Sequence, residues 1–247
     1  MARGRAAGYD QQLAQILSQA AALFAQRGYS DTSMNDVAQA CGMSKPALYH
    51  YVRDKYQLLV EIAEGHVLRL QALVEGVGVG VDVGEADAAS ADERLRRLID
   101  RFVEAYADSQ NAHRVLTEDV KFLRDEDRER IHQVERRVVA AFADAIAGVR
   151  PELQPARIAK PAAMLLFGMI NWMFMWLKPD GALTYRDMAP LVADLFFGGV
   201  HAMKVAPAEA HADAPPASKL RGTPGTQTAA DARHSRADRN DPHTVQS

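Results

Sequence analysis

One short stretch of the chain carries side chains suited to contacting nucleic acid. Between residues 33 and 52, small residues precede Gly42, and Lys45, Tyr49 and His50 follow it. Small residues let two helices cross closely, the glycine permits a turn, and outward cationic and aromatic groups can reach phosphate and base edges. The stretch therefore has the layout of a helix-turn-helix, although ordinary helical hairpins share this pattern.

Capping residues set the limits of the two short helices. Ser33 with Asp36 three residues later predicts the start of the first, and Gly42 predicts its end. Ser44 predicts the start of the second, with Pro46 in the first turn, where no intrahelical N–H is required. A helix that begins at Ser44 also exposes backbone N–H groups, which attract phosphate.

Apolar periodicity predicts only helices in the rest of the chain. The expected helices cover residues 9–27, 54–75, 92–108, about 112–123, 126–149, 157–177 and about 185–203. The Gly-Val alternation at 76–84 could mimic a strand, but its four glycines and the lack of a partner strand favour a flexible loop.

The predicted fold class is therefore all-α. We expect an N-terminal three-helix domain with the helix-turn-helix over residues 1–53 and a C-terminal helical domain over 54–204. Residues 205–247 lack aromatic side chains and are rich in Ala, Pro, Asp and Thr. Such a composition buries too little apolar area to offset ordering entropy, so we expect a disordered tail.

Composition narrows the function classes. The net charge of −3 gives no global nucleic-acid signal, but residues 1–56 carry six Lys or Arg against four Asp. Cys41 is the single cysteine, which excludes an intrachain disulfide and a cysteine-rich metal site. The N-terminus lacks the apolar stretch of a signal peptide, and the apolar run at 162–177 is short for a membrane span. We expect a cytoplasmic protein with no membrane partner, metal or cofactor.

An enzyme is the first alternative, and the sequence favours it little. It has no glycine-rich phosphate loop and no His-Glu-x-x-His motif, and His66, His113 and His132 are isolated. We therefore assign no catalytic residue. The second alternative is an architectural DNA binder that senses nothing, and an apolar cavity in the C-terminal domain would distinguish a sensor from it.

The run from Gly28 to Lys55 closely resembles the DNA-binding domain of the TetR family of transcriptional regulators. The resemblance implies a homodimer that binds a palindromic double-stranded operator with the helix that begins at Ser44 in the major groove. The residues it places nearest the bases are Lys45, Pro46, Ala47, Tyr49 and His50. The residues it places at phosphate are Thr32, Ser33, Ser44, Tyr51 and Lys55.

A second motif lies near the end of the C-terminal domain. Asn171-Trp172, Trp176 and Pro179-Asp180-Gly181 resemble the signature of TetR-type repressors that respond to acyl-CoA thioesters and control fatty-acid or phenylacetate degradation. The resemblance implies a repressor that an acyl-CoA effector, best guessed as phenylacetyl-CoA, releases from DNA. A different hydrophobic molecule, such as a drug or a free fatty acid, is the alternative.

An acyl-CoA requires an apolar tunnel for the acyl group and cations at the mouth for the phosphates. The residues expected to form the tunnel are Phe102, Tyr106, Phe142, Phe167, Asn171, Trp172 and Met175. The candidates for the mouth are Arg101, Lys121, Arg124 and Arg128. The helices expected at 157–177 and 185–203 have more apolar surface than one chain can bury, which favours their pairing with the same helices of a second subunit. If both helices instead belong to the core of one chain, the protein is expected to be a monomer.

Overall fold

A computed structural model describes residues 2–78, 90–177 and 181–204, all within one compact unit, Met1–Ala208. The described residues form α-helices, two short 3₁₀ turns and connecting loops, which confirms the all-α prediction. The helices are α1 Ala2–Arg27, α2 Met34–Ala40, α3 Lys45–Leu48, α4 Lys55–Gly78, α5 Ala91–Asp108, α6 Gln110–Glu118, α7 Asp125–Val149, α8 Ala159–Trp176 and α9 Tyr185–Ala202.

The helices α1, α2 and α3 and the first half of α4 share one apolar core. Ile16 and Phe24 of α1, Val37 of α2, Leu48 of α3 and Leu58 of α4 are all buried in it. The left-handed backbone at Gly28, with φ of 87°, ends α1 and turns the chain toward α2. Side chains of α6 and α7 complete this core, so the N-terminal helices rest directly on the C-terminal ones.

A second core joins α5, α7, α8 and α9. Its centre is an aromatic cluster in which the rings of Phe102, Phe142 and Phe167 meet edge to face, with centroids 4.9–5.5 Å apart. Edge-to-face packing directs the positive ring edge at the negative ring face, which stabilises aromatic pairs beyond area burial alone. This cluster fixes α5, α7 and α8 around one point of the core.

The end of α9 is held in place by Arg150, the residue that follows α7. The Arg150 guanidinium donates hydrogen bonds to the carbonyl oxygens of Val200, His201 and Met203 at 2.5, 2.8 and 3.2 Å. These carbonyls lie at the C-terminal end of α9, so a cation there adds hydrogen bonds to them and complements the helix dipole. Thr184 and Asp187 form the capping box that begins α9.

Four details differ from the sequence prediction. The helix expected at about 112–123 divides into α6, which ends at Glu118, and a 3₁₀ turn at Val120–Phe122. The helix α1 begins at Ala2 rather than at residue 9, and α3 ends at Leu48, after which residues 49–51 form turns. The helix α4 continues to Gly78, so the start of the expected Gly-Val loop is helical. The remainder of that loop, residues 178–180 of the second motif and the expected tail from 205 onward lie outside the described residues.

Candidate nucleic-acid interface and internal cavity

The turn between α2 and α3 has the geometry of a helix-turn-helix. Ser33 caps α2: its hydroxyl accepts the N–H of Asp36 at 3.2 Å, and its own N–H donates to the Asp36 carboxylate at 2.8 Å. This bonding holds the pKa of Asp36 below its usual range. Gly42 takes the left-handed conformation with φ of 64°, in which a residue with a side chain would be strained. The Ser44 hydroxyl caps α3 by accepting the N–H of Ala47 at 3.3 Å.

The helix α3 and the turn that follows it are anchored by one residue and expose most of the others. Leu48 is fully buried, whereas Lys45, Pro46 and His50 are exposed and Tyr49 is 45% exposed. Nothing in the N-terminal core requires a cation, an imidazole and a phenol on this surface. The arrangement is what a helix needs to present side chains to base edges, with Ala47 half-buried between them.

The two tyrosines of the segment have different roles. The Tyr51 ring stacks on the ring of Tyr9 in α1, with centroids 4.9 Å apart, and the residue is half-buried. Tyr49 points outward instead. Tyr51 is therefore the tyrosine that packs against α1, and its expected contact with phosphate stays a prediction.

Lys55 and Thr32 serve the fold rather than the surface. The Lys55 ammonium donates to the carbonyl oxygens of Tyr29, Ser30 and Thr32 at 2.8, 3.2 and 2.9 Å and lies 4.4 Å from the centre of the Tyr29 ring. Because an ammonium has three N–H donors, all three are used here. Thr32 is 1% exposed and donates its hydroxyl to the carbonyl of Gly28 at 2.9 Å. Both side chains therefore use their donors within the fold, and their expected contacts with phosphate stay predictions.

A cavity of about 210 Å³ lies among α4, α5, α6, α7 and α8. Its lining is mostly apolar: Val67, Leu70, Phe102, Tyr106, His113, Leu116, Glu135, Val138, Val139, Met164, Phe167 and Asn171. Met164 is also 53% exposed, so the cavity reaches the surface beside α8. Ligand sites are typically concave and apolar with a few polar groups, and this cavity has that composition.

Four of the seven predicted ligand residues line the cavity, namely Phe102, Tyr106, Phe167 and Asn171. Phe142 does not line the cavity but packs against the rings of Phe102 and Phe167, which do. Trp172 does not line the cavity, because it is one position, about 100° around the helix, from Asn171 and is 64% exposed. Its contact with an effector stays a prediction. Met175 follows Asn171 one turn later, beyond the end of the cavity, and is 55% exposed.

The polar side of the cavity brings together residues from separate helices. The Nε2 of His66 in α4 and the Nδ1 of His113 in α6 are 3.3 Å apart, and Tyr106 stacks on His113 at 4.2 Å between ring centroids. Burial lowers the pKa of His66 to about 3, with help from His113 and Arg69, and burial lowers that of His113 to about 4. Both imidazoles are therefore neutral near pH 7.

Further polar groups lie at or beside the cavity. The Oδ1 of Asn171 is buried with no hydrogen-bond partner, as is the Nδ1 of His66. Glu135 of α7 lines the cavity and bonds the Nδ1 of His132 at 2.8 Å. Sequence reasoning singled out Asn171 but missed His113 and Glu135, which carry no local signal because they meet only in three dimensions.

The cations expected at the mouth of a ligand tunnel lie elsewhere. Arg128 pairs with Asp125, Arg124 covers the Tyr56 ring at 4.5 Å, and Lys121 lies 5.2 Å from the centre of the Phe122 ring. Lys121 and Arg124 lie in the connection between α6 and α7, Arg128 lies in the first turn of α7, and Arg101 is exposed on α5. No Lys or Arg lines the cavity within the part of the chain that the structure describes.

That connection touches the N-terminal helices at two points. The backbone N–H of Tyr29 donates to the buried Asp119 carboxylate, and although this bond lowers the pKa of Asp119, burial raises it more. The centroid of the Tyr29 ring lies 5.2 Å from that of Phe122. The Tyr56 hydroxyl donates to Asp127 and accepts the N–H of Arg124 at 2.9 Å. Displacement of α6 or α7 would therefore move Tyr29 and Tyr56, which lie before and after the helix-turn-helix.

A wider groove of about 630 Å³ runs along α1, α4 and α6, but many of its lining residues, including Ser18, Arg69 and Asn111, are exposed. Its lining is more polar than that of the cavity and includes Glu61, Arg69 and Asp108. In the described ranges, no cluster of three or more His, Cys, Asp or Glu could hold a metal ion, and no helix has the length and apolarity to cross a membrane.

Known proteins match both parts of the chain. Residues 16–62 match the family described as bacterial regulatory proteins, tetR family, and residues 88–200 match the tetracyclin repressor-like C-terminal domain. The chain is 29% identical over 118 residues to the HTH-type transcriptional activator FasR of Mycolicibacterium smegmatis, a match that spans 47% of this chain and 50% of FasR.

Solved structures extend the likeness over about three quarters of the chain. The crystal structure of AibR in complex with isovaleryl coenzyme A and operator DNA is 26% identical, with a TM-score of 0.60 over 74% of this chain and 97% of AibR. A TetR-family transcriptional regulator from Bordetella parapertussis 12822 is 32% identical, with a TM-score of 0.68 over 78% of this chain and 98% of that protein. With its exposed α3, its glycine turn and its cavity beneath α4, the chain belongs to the TetR family of transcriptional regulators.

Proposed function

We propose that this protein is a dimeric transcriptional repressor that an acyl-CoA thioester releases from a palindromic operator. The observation that carries the effector class is the lining of the 210 Å³ cavity, which is apolar and contains no Lys or Arg among the described residues. A thioester carbonyl is neutral, whereas the carboxylate of a free fatty acid would be desolvated beside Glu135 without a cation. The lining thus favours the thioester over the free acid.

The volume also limits how much of the effector enters. Sites for whole drug-sized ligands measure roughly 300–1,000 Å³, so about 210 Å³ suits a short acyl group. The CoA nucleotide would stay outside, where the cavity reaches the surface near Met164. The cations expected for its phosphates do not line the cavity, so the acyl group alone is assigned to it. AibR, whose structure holds isovaleryl coenzyme A, is a similar protein with a short-chain thioester. Phenylacetyl-CoA is our first candidate for this chain.

The dimer surface that we propose is the outer face of α8 and α9. Its large apolar side chains are 47–70% exposed: Leu165, Trp172, Trp176, Leu191 and Leu195. An apolar patch of this kind on a soluble protein marks an interaction surface. A second copy related by a twofold axis would cover the same residues on both subunits and form a four-helix contact.

Release requires that the effector favour a conformation that fits DNA poorly. The helix α4 begins at Lys55, which holds the loop before α2, and contributes Val67 and Leu70 to the cavity. The helix α6 contributes His113 and Leu116 and leads into the segment that contacts Tyr29. An acyl group that spreads these helices would move the two α3 helices of the dimer away from the spacing of one DNA turn, about 34–36 Å. A hundredfold loss of operator affinity needs about 2.7 kcal/mol of such coupling.

A hydrophobic cation is the second candidate effector, and Glu135 favours it. A carboxylate in a mostly apolar cavity can pair with an amine or quaternary ammonium, and Tyr106 and Phe167 supply ring faces for the same charge. Replacing Glu135 with Gln separates the two candidates. The change would weaken release by a cation and would leave release by a thioester unchanged or improved.

The test is a titration of the protein–operator complex. The operator is selected from genomic fragments, and its fluorescence anisotropy is followed while phenylacetyl-CoA, isovaleryl-CoA, longer acyl-CoAs, the matching free acids and a set of lipophilic cations are added. We expect a short acyl-CoA to release the operator at micromolar concentration and its free acid to require far more. If no thioester acts below 1 mM, or if the free acids act equally well, the effector class is wrong.

A further inference from the structure

A second pocket lies on the surface between the end of α7 and the beginning of α8. It measures about 300 Å³, and its lining includes Ala143, Asp144, Arg157 and Lys160. Two cations and one carboxylate give this lining a net positive charge. The side chains of Arg157 and Lys160 form no ion pair or hydrogen bond with any residue that the structure describes, Asp144 included. The fold therefore leaves both cations available to a ligand.

The pocket and the cavity lie next to each other along the same pair of helices. In the cavity lining Val139 of α7 stands with Met164 of α8, and in the pocket lining Ala143 of α7 stands with Lys160 of α8. Four residues forward on α7 thus correspond to four residues back on α8, which is the register of antiparallel helices, and four residues span about 6 Å. The cavity reaches the surface at Met164, which is 53% exposed. A molecule whose apolar end fills the cavity can therefore reach the pocket along α7 and α8.

The backbone of Arg157 is a further, independent sign of a ligand site. Its φ of 58° lies in the left-handed region, which glycine adopts freely and which a residue with a side chain adopts at a cost in stability. The residue is exposed and its side chain bonds nothing in the described fold, so folding alone would favour glycine here. Strained residues that the fold does not need are concentrated at functional sites.

We propose that this pocket binds the phosphate groups of a nucleotide, and that this nucleotide is the CoA part of the effector. A guanidinium can bond two phosphate oxygens at once, and an ammonium adds a compact positive charge beside it. The link to an acyl group rests on the proposed function, since an acyl-CoA has an apolar end for the cavity and phosphates for the pocket. The cations expected from the sequence line neither space, whereas Lys160 lies one helical turn from the cavity opening. A hydrophobic cation would gain nothing from this positively charged pocket.

The first experiment measures binding to the full chain by calorimetry, without DNA. Phenylacetyl-CoA and isovaleryl-CoA are each compared with the matching thioester of pantetheine, which keeps the acyl group and the pantetheine arm but lacks the nucleotide. The wild-type protein should bind at least one CoA thioester tenfold or more tightly than its pantetheine analogue. In the double variant that combines Arg157→Gly with Lys160→Gln, this preference should vanish. Arg137→Gln removes an exposed cation of α7 that lines neither space and should keep the wild-type preference.

Two single variants show whether a loss reflects charge or a damaged fold. Asp144→Asn removes the carboxylate from the pocket, so it should tighten binding of the CoA thioester a few fold and leave binding of the pantetheine thioester unchanged. Arg157→Gly should melt at or above the wild-type temperature, because glycine takes a φ of 58° without strain. A melting temperature below that of the wild-type protein, with the nucleotide preference intact, would assign Arg157 to the fold and overturn the inference.

The second experiment separates this inference from the proposed function. Phosphorus NMR follows the titration of the wild-type protein and the double variant with adenosine 3′,5′-bisphosphate, which resembles the nucleotide end of CoA, and with inorganic phosphate. The bisphosphate should bind the wild-type protein more tightly than inorganic phosphate does and should not bind the double variant.

Each outcome of the two experiments decides one of the claims. A preference for CoA thioesters that survives in the double variant would overturn the nucleotide site and leave the proposed function standing. Bisphosphate binding that is lost in the double variant, together with thioesters that neither bind nor release the operator, would uphold the nucleotide site and reject the thioester as effector. Equal binding of bisphosphate and inorganic phosphate, or binding of neither, would overturn the nucleotide site.

Discussion

The buried pair of His66 and His113 makes the stability of this protein fall steeply in mild acid. In the unfolded chain both imidazoles titrate near pH 6.5. In the folded protein burial lowers the pKa of His66 to about 3 and that of His113 to about 4, since each residue is less than 5% exposed. Below pH 6.5 the unfolded state therefore binds more protons than the folded state, and stability decreases as pH falls toward these folded-state values.

The size of the effect follows from the two pKa values. Between pH 7 and pH 5 each imidazole lowers the free energy of unfolding by about 2 kcal/mol, or about 4 kcal/mol for the pair. Urea unfolding at fixed protein concentration, at pH 7, 6 and 5, measures this loss in the wild-type protein and in His66→Gln, His113→Gln and the double variant. Each single variant should lose about half of the pH dependence that the double variant loses.

An exposed histidine provides the control for this experiment. His132 lies on the surface of α7 beside Glu135, and His132→Gln should show the wild-type slope between pH 7 and pH 5. The absolute stability of each variant does not matter, because the quantity compared is the change with pH. If the double variant and the wild-type protein lose the same free energy, the buried pair does not behave as the structure requires.

Three further predictions concern the surfaces. Lys55→Met should lower the free energy of unfolding by about 1–2 kcal/mol, because three hydrogen bonds to carbonyl oxygens are lost. It should leave the salt dependence of operator binding unchanged. A slope of log affinity against log salt concentration that is smaller by about one would instead indicate a direct contact of Lys55 with phosphate. Tyr49→Ala should reduce operator affinity at least tenfold at unchanged thermal stability, and unchanged affinity would remove Tyr49 from the interface. Trp172→Glu should convert the proposed dimer to a monomer in sedimentation experiments, and a dimer that persists would place the interface elsewhere.

The local parts of the fold could be predicted because their signals are local. Ser33, Ser44 and Thr184 begin helices α2, α3 and α9 as their capping patterns indicate, and Gly28 and Gly42 take the left-handed conformations that end helices. Each of these signals depends on residues within four positions of one another. The helix-turn-helix was predictable for the same reason.

The roles of other residues depend on contacts that no local pattern encodes. Lys55 bonds carbonyls 23 to 26 positions earlier in the chain, so its spacing gave no sign that its donors are used internally. The helix α8 is apolar nearly all round, and the sequence therefore could not tell which face lines the cavity. The structure separates the stripe with Met164 and Asn171, at the cavity, from the stripe with Leu165 and Trp172, which faces outward.

The central claim is that the cavity among α4 to α8 controls operator binding, and blocking that cavity tests it most directly. Val139 lines the cavity and is half-buried, so Val139→Phe can fill part of the 210 Å³ without a large change in the core. The measurement is the concentration of the best thioester that releases half of the operator, in the wild-type protein and in Val139→Phe, with thermal stability recorded for both. We predict the same operator affinity without effector and a release concentration at least tenfold higher in the variant. Release at the wild-type concentration from a stably folded variant would contradict the account.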